Sequence, residues 1–215
     1  MTKPFVLTLG VLLVMSCGAG SVSRATLGGE DGADLHSLLG FKRAITNDPR
    51  GALSAWNASA HFCLWNGVTG VSRARSQNCS TLRTLNLSRN FLVGRIPAEI
   101  GRLSNLTSLS LRFNNLIGII PPELCNATSL KELRLTYNKL GGSIPEGFGK
   151  LTELRTLSLA VNRISGGVPE SLFNLSLLQL LSLTGNRLHG QLPPEIGNAF
   201  PDLQFLDLAT NMFCN

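Results

Sequence analysis

One pattern, L-x-x-L-x-L-x-x-N-x-L-x-G-x-I-P, returns along this chain with openings at Leu82, Leu106, Leu130, Leu154, Leu178 and Leu203, spaced 24 residues apart four times and then 25. The asparagines keep step as Asn90, Asn114, Asn138, Asn162, Asn186 and Asn211. Five Gly-x-apolar-Pro units follow, from Gly94-Arg95-Ile96-Pro97 to Gly190-Gln191-Leu192-Pro193. A period in the range of 20–50 residues marks a solenoid, because one unit cannot bury its apolar face alone and must stack on the next.

Each column of the repeat has a physical reading. The alternation in Leu85-Asn86-Leu87 suits a short strand with one buried face, so stacked units join a parallel sheet. The recurring asparagine turns the chain out of the strand, and a buried amide there can donate to and accept from backbone groups that tight corners orphan. Gly permits close approach or positive φ, and the following Pro stiffens an outer corner. An apolar column lies three residues before each opening Leu: Cys79, Leu103, Ala127, Leu151, Leu175 and Phe200. Cys79 in that column reads as a small buried hydrophobe, and Cys125 as packing.

The N-terminus indicates a compartment. Lys3 precedes an apolar run from Phe5 to Met15 and the small residues Ser16 to Gly20, the layout of a secretory signal peptide, placed at residues 1–25. The run is too short to cross a bilayer, which takes about 20 residues as a helix, and no later stretch is longer. Six Asn-x-Ser/Thr sites, at Asn57, Asn78, Asn86, Asn105, Asn126 and Asn174, fit a eukaryotic secretory route. Asn78, Asn126 and Asn174 share one column, so glycans there would line one flank; a glycan on Asn86 would obstruct the first coil's inner side. The net charge of +6 comes from Lys and Arg spread singly, with no dense basic run, which argues against nucleic acid.

The repeat resembles the plant-specific leucine-rich-repeat type, in which the L-x-G-x-I-P segment makes a second small sheet. Residues 34–68 resemble the N-terminal cap of plant leucine-rich-repeat receptor kinases: Asp34-Leu35-His36-Ser37-Leu38-Leu39-Gly40-Phe41-Lys42, Ile45-Thr46-Asn47-Asp48-Pro49, Leu53-Ser54-Ala55-Trp56-Asn57 and Cys63-Leu64-Trp65-Asn66-Gly67-Val68-Thr69. By spacing alone, Leu35, Leu38, Leu39 and Ile45 share a helical face that Pro49 would end. The segment Leu192 to Leu206 is similar to the receptor subgroup that detects bacterial peptides. The expected fold is an α/β repeat solenoid, a right-handed coil with a parallel concave sheet, with a cap over residues 26–78 and repeats over 79–215, five full and a sixth incomplete. The family's cap reads C-x-W-x-G-V-x-C with the two cysteines bonded, but Gly70 stands where the second belongs. Cys63 is then either free or paired with Cys79. Asn78-Cys79-Ser80 looks like the entry to an internal repeat, as a deletion or altered splice would leave it. The resemblance also implies a receptor ectodomain that stops before its membrane span and kinase region. An open last coil is expected to fray near Leu203 to Phe213 or to associate with another chain.

Catalytic chemistry finds no foothold. His36, His61 and His189 are scattered, His61 with Cys63 falls short of the four ligands of a zinc site, and no phosphate loop, nucleophile elbow or kinase loop is present. No metal or cofactor is expected. Binding is the remaining function. The variable positions of each strand face the open concave surface, and repeats two to four place Arg112, Phe113, Lys131, Arg134, Tyr137 and Arg155 there. With strands about 4.8 Å apart, these residues are expected to form one basic patch with two aromatic anchors, fit for an extended peptide carrying carboxylates. The resemblance implies a peptide or protein ligand, a co-receptor ectodomain as a further partner, and an extracellular, apoplastic location in defence or development. Two other readings are a free apoplastic inhibitor of microbial polygalacturonases and a truncated decoy without a ligand.

Overall fold

The computed structural model describes residues 30–57, 59–72, 79–193 and 196–214. The expected signal peptide and Asn78 lie outside the described residues.

The repeats stack as read. A seven-stranded sheet runs from Val68–Ser72 through Cys79–Asn86, Ser108–Ser110, Glu132–Arg134, Thr156–Ser158 and Leu180–Ser182 to Phe205–Asp207. Only its first pair is antiparallel. The parallel register aligns Leu85 with Leu109, Leu133, Leu157, Leu181 and Leu206 in turn. All but the last of these leucines are fully buried, as are Leu111, Leu135, Leu159 and Leu183 of the second column. Leu206 is 40% exposed because no further coil covers it among the described residues. The L-x-G-x-I-P segments pair as a second, outer set of strands: Val93–Arg95 with Asn115–Ile117, and Ser165–Gly166 with Arg187–Gly190 and Met212–Phe213. The prolines Pro97, Pro121, Pro145 and Pro169 then open the 3-10 turns of the convex side.

The asparagine column performs the role expected of it. Asn138 donates from Nδ2 to the Leu111 and Leu135 carbonyls, both at 3.0 Å, and its Oδ1 accepts from the Leu116 N–H at 3.0 Å. One amide thus ties its own coil to the one before it. Asn114, Asn162, Asn186 and Asn211 repeat the arrangement.

A feature not read from the sequence stands beside that column. The residue before each asparagine is left-handed: Arg89, Phe113, Tyr137, Val161, Gly185 and Thr210, with φ between 53° and 66°. At Phe113, Tyr137 and Val161 two successive N–H groups go with it. Phe113 and Asn114 both donate to the next coil, to Thr136 O at 2.9 Å and Tyr137 O at 3.2 Å. A regular strand alternates its donors between sides, so the chain must turn at this residue.

The cap closes the first coil. Its helix spans Glu30–Ala44, with Leu38 and Phe41 fully buried. Asp34 accepts the Leu82 N–H at 2.8 Å, satisfying a donor at the start of the array. The expectation that Ile45 continues the helical face up to Pro49 is corrected. Ile45–Asn47 is a strand, paired antiparallel with Val93–Arg95. Backbone pairing with the first outer strand, aided by Thr46 Oγ1 donating to Val93 O at 3.1 Å, wins over helix propagation at two β-branched residues. Trp56 and Trp65 stack in the cap core with centroids 5.1 Å apart.

Cys63 is disulfide-bonded, which settles the free-thiol alternative against it. Cys125 and Cys214 are free, and the Cys79 side chain lies outside those described, so the Cys79 pairing does too. Cys125 is packing, as expected: it is buried, and burial raises its thiol pKa above the ordinary value. Native protein treated with a maleimide at neutral pH is expected to be labelled at exposed Cys214 and spared at Cys125, with Cys63 reacting only after reduction. Peptide mapping reads this directly, and prompt labelling of Cys125 would contradict its burial.

Candidate concave binding surface

The strand residues that leucine does not claim line the inner face, and the six expected site residues divide there into two groups. Arg112, Phe113, Arg134 and Tyr137 come together at the strand ends and the left-handed corner. Lys131 and Arg155 do not join them. They precede the strands Glu132–Arg134 and Thr156–Ser158, exposed, in a column where Lys131 N donates to Thr107 O and Arg155 N to Lys131 O, each at 2.8 Å. The expected single patch is therefore a cluster at the strand ends and a separate cationic row at the strand starts. Along a strand, residues three apart lie about 10 Å from each other, which no side-chain contact was needed to reveal.

The cluster contains two adjoining concavities. The first is polar, about 490 Å³, with Arg89, Arg112, Arg134 and Glu132 around a floor of Ser108 and Ser110. Ser88 and Ser110 hydroxyls are 2.7 Å apart. Arg134 Nε lies 3.4 Å from Glu132 Oε2, with both side chains more than a third exposed, so this pair orients the guanidinium more than it stabilises the fold. Asn86 belongs to the same lining, so a glycan at that sequon would enter this concavity. The second concavity is apolar, about 290 Å³, and walled by Phe91, Phe113, Tyr137 and Val161. Phe113 and Tyr137 stack at 4.7 Å with 11° between their planes. Arg50 sits 4.5 Å from the Phe91 centroid, and Arg89 and Arg112 lie 5.1 and 5.4 Å from that of Phe113.

Sequence reasoning missed Arg89, Phe91, Glu132 and Val161. Arg89 and Val161 occupy the same column as Phe113 and Tyr137, so carrying the column one coil either way finds them. Phe91 lies past its asparagine, and only folding brings it to the groove. Among the sequons, Asn57, Asn86, Asn126 and Asn174 are exposed and Asn105 is half-buried. Among the described residues, no cluster of three or more His, Cys, Asp and Glu could hold a metal, and no helix is long and apolar enough to cross a membrane.

A family model described as leucine rich repeat N-terminal domain matches residues 31–69, and leucine rich repeat models match 81–103, 105–127 and 128–188. No catalytic domain is among these matches. Protein MALE DISCOVERER 2 of Arabidopsis thaliana is 41% identical over 84 residues, covering 30% of this chain and 12% of that protein. The curated relatives it matches are far longer: the matched stretch covers between 7% and 12% of each. Among solved structures, the BIR3–SERK2 complex from Arabidopsis thaliana superposes with TM-score 0.73 at 34% identity, over 85% of this chain and 95% of the matched one. The PEPR1–AtPEP1 structure gives TM-score 0.76 at 35% identity, over 84% of this chain and 25% of that one. With a cap, a repeat array and a match to the LRR ectodomain of the receptor kinase SOBIR1 from Arabidopsis thaliana, at TM-score 0.71 and 29% identity over 85% of this chain and 95% of that one, this chain belongs to the leucine-rich-repeat proteins, of the plant receptor-kinase ectodomain type.

Proposed function

We propose that this chain is a non-catalytic extracellular recognition module, residues 26–78 acting as its cap and 79–215 as its reading array, that takes a peptide or protein ligand bearing carboxylates on its concave face. The observation that carries the reading is the polar concavity, lined by three arginines, Arg89, Arg112 and Arg134, and by one carboxylate residue, Glu132. Guanidinium forks recognise carboxylates bidentately, with hydrogen bonds about twice as strong as neutral ones. Lys131 and Arg155 act at longer range, steering an acidic ligand rather than gripping it. Relatives solved with a second component, PEPR1–AtPEP1 and the BIR3–SERK2 complex, support a peptide or protein ligand and a second ectodomain as partners of this chain. Delivery through the secretory pathway to the apoplast, in defence or developmental signalling, completes the proposal.

The test is binding of labelled extended peptides rich in Asp and Glu, followed by fluorescence anisotropy, against the same peptides carrying Asn and Gln. Arg112→Ala with Arg134→Ala is expected to weaken the acidic peptides about tenfold or more. Lys131→Ala with Arg155→Ala is expected to slow association and flatten its salt dependence, leaving dissociation unchanged. Equal binding of the Asn/Gln peptides, or no loss in the double arginine variant, would sink the proposal.

A further inference from the structure

We infer that the left-handed corner carries a second, apolar subsite, formed by Phe91, Phe113, Tyr137 and Val161, which takes one aliphatic or aromatic side chain of the acidic peptide held in the adjoining arginine concavity. The inference rests on the concave-face reading and specifies its ligand.

Four observations carry it. The corner backbone needs a left-handed residue in every coil, and Gly185 supplies it without a side chain, so bulk is not a requirement of the turn. Phe113, Tyr137 and β-branched Val161 hold that conformation at φ 53–56°, an expensive choice for such side chains. The expense is returned only in part as packing, because Phe113 is half-buried while Tyr137 and Val161 remain 48% and 38% exposed. What the four groups create instead is an apolar concavity of about 290 Å³, at the small end for ligand pockets and fit for one large side chain.

The ring contacts narrow the ligand. Phe113 is engaged by Tyr137, Arg89 and Arg112, and Phe91 by Arg50, so one face of Tyr137 and of Phe91 is already taken and the groove suits burial of a side chain more than stacking. Apolar burial remains. Arg89 and Arg112 contact the Phe113 ring and also line the polar concavity, so the two pockets share a wall. The occupant that satisfies both is an extended peptide with a carboxylate and, within a few residues, a Leu- or Phe-like side chain.

The test compares an acidic peptide with Leu near its Asp and the same peptide with Ser, on the protein and on a Tyr137→Gly, Val161→Gly variant. Glycine suits the left-handed corner, so this variant is expected to melt no lower than the parent, and Val161→Gly alone serves if the pair perturbs folding. The Leu peptide is expected to bind the parent about tenfold tighter than the Ser peptide, and the variant to erase that advantage while binding the Ser peptide as before. Equal binding of the two peptides to the parent overturns the apolar subsite and leaves the arginine concavity standing. Loss of the Ser peptide in a folded variant overturns it too, since the corner then acts on the concave face as a whole. If neither peptide binds the parent, both readings fall.

Discussion

Asn138→Ala is expected to destabilise the array by about 2–6 kcal/mol, because one buried N–H is stranded at a cost of about 1–3 kcal/mol and two carbonyls each lose one of two bonds, at about 0.5–1.5 kcal/mol apiece. The stranded group is the Leu116 N–H; the Leu111 carbonyl keeps the Asn114 amide and the Leu135 carbonyl keeps that of Asn162. Asn138→Asp separates hydrogen bonding from shape. It keeps the volume but loses both donors, and sets a carboxylate against two carbonyl oxygens, so it is expected to be at least as damaging. Stability in a stacked array is a sum of coil and interface contributions. The loss should therefore appear first as reduced amide-exchange protection in coils two and three, and then as a lower urea midpoint. A cost below about 1 kcal/mol for the alanine variant would show that water replaces the amide and that the column is dispensable.

Gly94→Ala is the second large effect, and it acts on the junction of cap and array. Gly94 sits at φ 149°, and a Cβ there would lie 2.2 Å from the Ala44 carbonyl oxygen and 2.7 Å from Ile45 Cα. Both are backbone atoms, which cannot swing aside as a side-chain tip can. The variant must break the pairing of Ile45–Asn47 with Val93–Arg95, at a cost of about 3 kcal/mol from strain and overpacking together. The readout is built in. The chain's two tryptophans, Trp56 and Trp65, both lie in the cap, so tryptophan fluorescence follows the cap, while circular dichroism follows the coils. The fluorescence midpoint is expected to fall well below the dichroism midpoint. Coincident transitions shifted by less than a degree would refute the close approach.

The period of 24 was enough to lay out the coil, the buried leucine columns and the asparagine ties, because each of these repeats in register and depends only on position within the coil. Leu109 and Leu157 are closed off as the alternation requires. The motif also carried the cap, and helical spacing the face on which Leu38 is buried; the burial of Phe41 and Trp56 came only with the structure. Tertiary structure decided the rest. Ile45 left its helix because a distant partner strand, Val93–Arg95, offered backbone bonds that helix periodicity cannot reveal. Lys131 and Arg155 parted from Arg112 and Arg134 because the same strand presents its start and its end at opposite margins of the sheet. The left-handed corner, which brings Phe91 beside Phe113 and Tyr137, goes with backbone and asparagine bonds to neighbouring coils, which the sequence of one coil does not display.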